Sequence, residues 1–172
     1  MKNFIIILFL LIAYIYCMAN VSVNNPSDTI YVKTKHYEGI IFGKDYPKNR
    51  IYRGFDNLDE IRWYPTIDDV EIAEKILAEY LKKYCQKYSK KGVIGTSFIC
   101  KNSDDYIRQY LGEFNNERKI LFIYCFWKGI LKEHLDWKIN MINVLDGGSD
   151  YWYIKIDMDK KKVVDFYIHG TA

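Results

Sequence analysis

Cys125, His134 and Asp136 are a thiol, an imidazole and a carboxylate within one short stretch, the parts from which a nucleophile and its base can be assembled. Such a set needs an exposed thiolate within hydrogen-bond reach of the imidazole. Cys125 instead falls inside Ile120–Trp127, the most apolar run downstream of residue 19, which favours a buried, unreactive thiol. His169 sits near a strand end and His36 in a poorly patterned N-terminal region, so neither adds a base. Asp146, Asp150, Asp157 and Asp159 raise the question of calcium. The stretch Asp146-Gly147-Gly148-Ser149-Asp150 lacks the length and ligand alternation of a calcium loop, and turn chemistry accounts for it. No cysteine or histidine spacing matches a zinc site, so no catalytic residue, cofactor or metal is expected. Tyrosine is the unusual component, with 16 residues, and large rigid rings with a polar tip suit a contact surface. The candidate contact face comprises Tyr110, Trp127, Tyr151, Trp152 and Tyr153.

The elements that must position these residues begin with a carboxy-terminal stretch. Trp137–Leu145, Tyr151–Met158 and Lys162–His169 read as three strands, separated by Asp146–Asp150 and by Asp159-Lys160-Lys161. Gly147 and Gly148 tolerate positive φ, which suits a chain reversal. Trp152, Ile154, Ile156 and Met158 form the expected inward set of the second of these strands, and Val164, Phe166 and Ile168 that of the third. Upstream, Tyr106–Phe114 and Lys119–Trp127 read as a hairpin. Its second strand is apolar on both faces, so a helix must cover one side and a loop or partner the other.

One helix is predicted over Ile67–Tyr88, capped by Thr66 with Asp69 at its third position. Val70, Ala73, Leu77, Tyr80 or Leu81, and Tyr84 recur at helical spacing, and Glu71 with Lys75 and Glu79 with Lys83 lie one turn apart on the flanks. Thr29–Lys33 and Tyr37–Phe42 read as short strands ahead of a loop-like stretch.

Residues 1–19 have the form of a signal peptide, with Lys2 ahead of an apolar run from Phe4 to Tyr16. Two endings are open: cleavage before Asn20 after Cys17-Met18-Ala19, or lipid attachment at Cys17, the one route by which a membrane would enter. Residues 20–61 form an N-terminal segment of short strands and loops, and 62–172 a single α+β domain. Without Lys2 the 25 basic residues become 24 against 22 acidic ones, a balance with no nucleic-acid footprint. Lys82, Lys83, Lys87, Lys90 and Lys91 cluster near a helix C-terminus, where cations complement the dipole. Cys85, Cys100 and Cys125 remain in the processed chain, so an oxidising compartment would bridge one pair and leave a thiol over.

Arg62–Thr66, Tyr106–Tyr110, and Val144–Gly148 through Tyr151-Trp152 to His169–Ala172 carry a resemblance to an uncharacterised exported-protein family of Bacteroidetes. The resemblance spans roughly Trp63 to Ala172, and it implies export and a shared fold without implying an activity. The expected architecture is α+β: one long N-terminal helix packed on a curved antiparallel sheet of four to five strands, cystatin-like or NTF2-like. The expected function is a non-enzymatic binding domain of the cell envelope, of inhibitor or immunity type, with a protein partner. The alternative is an NTF2-like small-ligand-binding protein or enzyme, with Asp136, His134 or Tyr124 facing into a pocket between helix and sheet.

Overall fold

A computed structural model describes residues 29–43, 46, 62–88, 91, 95–142, 144 and 146–170. The expectations for the signal segment 1–19, Cys17, Asn20, Lys90 and most of 43–61 fall outside the described residues.

The helix forms as its pattern requires. It spans Ile67–Tyr88 (α1), and Val70, Ala73, Leu77 and Leu81 are its buried stripe. Its start is a reciprocal cap. The Thr66 N–H donates to Asp69 Oδ2 at 2.9 Å, and the Asp69 N–H donates to Thr66 Oγ1 at 3.2 Å, so two N-terminal donors are satisfied by side chains. A second, short helix, Thr96–Asn102 (α2), follows it.

Six strands form one sheet in sequence order: Ile30–Lys33 (β1), Glu38–Ile41 (β2), Tyr106–Asn115 (β3), Arg118–Trp127 (β4), Tyr151–Asp157 (β5) and Lys162–Ile168 (β6). The class is α+β with one long helix on the sheet, as the pattern predicts. Two details differ from expectation. Among the described residues there are six strands rather than four to five, and the sheet is mixed, because β2 runs parallel to β3 while every other pair is antiparallel. A parallel neighbour needs a crossover, and the segment carrying α1 supplies it, which lays the helix across one face. The folded unit therefore reaches back to β1, across the 61/62 division.

Both faces of the sheet are covered. On the α1 side, Tyr106, Tyr110, Leu121, Ile123, Cys125, Trp152, Ile154 and Ile156 close over the helix stripe in one core. On the other side, Ile107, Leu111, Phe122, Tyr124, Phe126 and Tyr151 pack with Trp137, Met141 and Ile142 in a second. A loop thus covers the face of β4 that its all-apolar sequence left open.

That loop is the strand expected at Trp137–Leu145, and its described residues are not a strand. The Asp136 carbonyl accepts from the N–H groups of Ile139 and Asn140, both at 2.8 Å, which turns the chain at once. Buried Gln109 then pins the result to β3. Its Nε2 donates to the carbonyls of Trp137 (2.7 Å) and Asn140 (2.9 Å), and its Oε1 accepts the Ile142 N–H at 2.8 Å. Backbone groups met by a buried amide need no ladder partner, and β4 itself occupies the place beside β5.

The glycine pair acts as a clasp and not as a hairpin turn. Gly147 (φ 128°) and Gly148 (φ 58°) both donate their N–H to the Gly170 carbonyl, so they hold the end of β6. In β6 the phase slips once. An irregularity opposite Lys155/Ile156 turns Val163 inward and leaves Val164 exposed, whereas Phe166 and Ile168 keep the predicted inward side.

Cys85 on α1 and Cys100 on α2 form a disulfide, and Cys125 is free and buried. Burial raises the Cys125 thiol well above its ordinary pKa. Closing a loop with a sequence separation of 15 stabilises the fold by about 3 kcal/mol on chain entropy. The Cys85→Ser/Cys100→Ser double variant should accordingly lose about 2–4 kcal/mol in urea unfolding. A loss of a few tenths would show that the α1–α2 junction is already held by its packing.

Candidate functional site

Over the central strands both sheet faces are covered, and the margin where α1 meets the β1–β2 turn is open. A cavity of about 470 Å³ opens there, between α1 from Glu71 to Leu81, the turn Thr34–Tyr37, and the 3₁₀ turn Ser103–Asp105. Its size lies within the usual range for small-molecule sites.

The floor is ionic. Arg108 projects from β3 on the α1 side and Glu74 from α1, with side chains only 3% and 11% exposed. Arg108 Nε donates to Glu74 Oε1 at 3.3 Å, Nη1 to the Tyr106 carbonyl at 2.8 Å, and Nη2 to the Ser103 carbonyl at 2.9 Å. The Tyr110 hydroxyl donates to the same Glu74 oxygen at 2.8 Å. Burial opposes the guanidinium charge, yet Glu74 and the neighbouring groups outweigh it and hold the Arg108 pKa above its ordinary value. Burial, followed by Glu74, pushes Tyr110 far above the ordinary phenol range.

The wall is apolar, made by Leu77, Ala78 and Leu81. The rim carries exposed charge: Lys35, Glu71 and Lys75, together with His36, whose Nδ1 lies 3.1 Å from Asp104 Oδ2. Tyr37 completes the interior. Its pKa is pushed up to about 12, first by burial and then by Glu74 and Glu71, while Arg108 pulls less strongly the other way.

The residues singled out from the sequence lie elsewhere. Cys125 faces α1, whereas His134 sits over the opposite face against Phe126 and Tyr151, so the sheet separates them. Asp136 is exposed and accepts from Asn140 Nδ2 at 2.5 Å. His134 Nε2 is 2.6 Å from the Tyr151 hydroxyl, and Tyr124 is buried in the second core. None of Asp136, His134 and Tyr124 lines the cavity. The four aspartates do not converge either. Asp146 and Asp150 flank the start of β5, while Asp157 and Asp159 lie at its far end, where Asp157 accepts the Lys160 N–H and Asp159 the Lys119 N–H. Among the described residues no group of three metal-ligating side chains forms.

The candidate contact face is divided as well. Tyr110 and Trp152 are fully buried under α1, with Trp127 half-buried on the same side, and Tyr151 and Tyr153 belong to the opposite core. Alternation along β5 sends neighbouring rings to opposite faces, so these five cannot form one surface. The rings are packing residues; the cavity is built from charges on three separate elements.

No protein-family model, curated protein or solved structure matches this chain. No helix among the described residues is long and apolar enough to cross a membrane.

Proposed function

We propose that this chain is an exported, non-enzymatic binding domain of the cell envelope that takes a small ligand in the cavity between α1 and the β1–β2 turn. Its helix across a curved sheet is read here as a frame of the cystatin-like or NTF2-like kind. The observation that carries the reading is the mixed lining, with an apolar wall beside unspent polar groups on an ionic floor. Export is supported by the Cys85–Cys100 disulfide, a bond that oxidising compartments favour, and by the resemblance to the exported Bacteroidetes family. Binding is favoured over catalysis because Arg108 spends its guanidinium nitrogens on Glu74 and two backbone carbonyls, and His36 is engaged with Asp104.

The test is a fragment screen observed by NMR at the methyl groups of Leu77, Ala78 and Leu81 in the disulfide-bonded protein. Compounds should shift these signals in the wild type and bind at least about tenfold more weakly to Ala78→Trp, in which an indole at this exposed lining position is expected to occupy the cavity. Hits scattered over the surface, or unaffected by Ala78→Trp, would remove the cavity as the binding site.

One observation favours a second reading, a protein partner added along β6. The His169 N–H donates to the Tyr151 carbonyl, and alternation from that pair turns the backbone groups of Phe166 and Ile168 away from β5. With Val164 and Tyr167 exposed beside them, this edge can accept a further strand from an inhibited or protected partner.

A further inference from the structure

The polar groups left over inside the cavity define a ligand chemistry. Both hydrogen bonds to Glu74 land on Oε1, and Oε2 accepts from no described residue. The Tyr37 hydroxyl, half-buried beside Glu74 and Glu71, also makes no hydrogen bond among the described residues. Glu71 lies one helical turn from Lys75, yet no ion pair joins them, and neither Lys35 nor Lys75 meets a carboxylate within ion-pair distance among the described residues. The cavity therefore presents the Glu74 carboxylate and the Tyr37 phenol inside, the Glu71 carboxylate and two unmatched ammonium groups, those of Lys35 and Lys75, at its rim, and the apolar side chains of Leu77, Ala78 and Leu81 along its wall.

The carboxylates of Glu74 and Glu71 lie near the Tyr37 hydroxyl and, after burial, raise its pKa, so an ammonium group placed there finds partners of opposite charge.

Resting on the reading of this cavity as a binding site, we propose that its ligand is an amino-acid-type zwitterion. Its ammonium group donates to Glu74 Oε2, Glu71 and the Tyr37 hydroxyl, its aliphatic body lies on Leu77, Ala78 and Leu81, and its carboxylate meets Lys35 and Lys75. An ammonium group has three donors, and three acceptors await it. A bare anion meets the lysines but is opposed by the glutamates. A diamine satisfies the glutamates but brings its second charge against the lysines.

Titration of the disulfide-bonded protein with norleucine, 6-aminohexanoate, hexylamine, cadaverine and hexanoate, followed at the same methyl groups, tests this. At least one of the two zwitterions should bind about tenfold more tightly than hexanoate, with hexylamine between them and cadaverine below hexylamine. Glu71→Gln should weaken the better zwitterion about five- to tenfold while leaving hexanoate unchanged or tighter, and Lys75→Met should bring it down to the level of hexylamine. Glu71 and Lys75 are exposed, so both variants should fold. Hexanoate equal to or tighter than hexylamine, or no effect of Glu71→Gln, overturns the proposal. If hexanoate or neutral fragments shift these methyl groups and no amine does, the cavity stands as a site and the zwitterion falls. If no compound shifts them, the binding reading falls as well.

Discussion

Arg108→Leu should destabilise the folded protein by about 3–5 kcal/mol, because it leaves Glu74 buried with a single hydrogen bond from Tyr110 and strips the donor from two backbone carbonyls. The side chain is 3% exposed, so water cannot replace the lost guanidinium without opening α1 from the sheet. The diagnostic variant is the double one. Glu74→Leu/Arg108→Leu removes both charges and their joint desolvation, and replacing a buried pair by apolar residues is often neutral, so it should recover most of the loss and leave about 1–2 kcal/mol. Urea midpoints at unchanged m-value measure each variant. Single-variant losses under about 1 kcal/mol, or losses that simply add in the double variant, would mean that water reaches the pair from the cavity and that the floor is soft. The outcome bears on binding too, since a floor that yields cannot hold Glu74 Oε2 in place for a ligand.

What the sequence discloses is what lies close along the chain. The Thr66–Asp69 cap, the helical stripe from Val70 to Leu81 and the β3–β4 hairpin are settled by neighbours within a few residues, and all appear where the pattern puts them. The inward set Trp152, Ile154 and Ile156 follows from the period of two and is likewise found. The parallel joining of β2 to β3 leaves no such trace, because the choice between parallel and antiparallel neighbours depends on where the intervening chain passes. Trp137–Leu145 misleads because a loop that covers a sheet face can be as apolar as a strand; Trp137, Met141 and Ile142 pack as strand residues would, and side chains distant in sequence, the Gln109 amide and the Tyr46 hydroxyl, hold the loop's backbone instead of a ladder. The cavity did leave a signal. Arg108 falls at an inward position between Tyr106 and Tyr110, and Glu74 adjoins Ala73 on the buried stripe of α1. Two charges facing a core must find each other, and a sequence separation of 34 hides the pairing only from a reading confined to single elements.

Trp152→Ala is expected to cost about 3–5 kcal/mol, a loss comparable to that of Arg108→Leu but with a different cause. The Trp152 ring is fully buried in the α1-side core, edge-on to Tyr106 at 5.4 Å, 5.7 Å from Phe166, and under the Arg108 guanidinium at 5.7 Å. Removing an indole that buries about 150–250 Å², at about 25 cal/mol per Å², gives roughly 4–6 kcal/mol as an upper bound, and partial collapse of the void brings this into the observed range. Trp152→Phe keeps an aromatic body in the same place and should cost about 1–2 kcal/mol. Tyr167→Ala, on the 48% exposed edge of the same sheet, should stay within about 1 kcal/mol. The three values come from urea unfolding, and their order discriminates between explanations. If Tyr167→Ala costs as much as Trp152→Ala, the β6 edge is covered in the native protein, which would move the binding surface from the cavity to that edge. If the order holds, the ring beneath Arg108 supports the cavity floor from below, and Trp152→Phe should weaken ligand binding at Leu77 and Ala78 by more than its small stability loss would suggest.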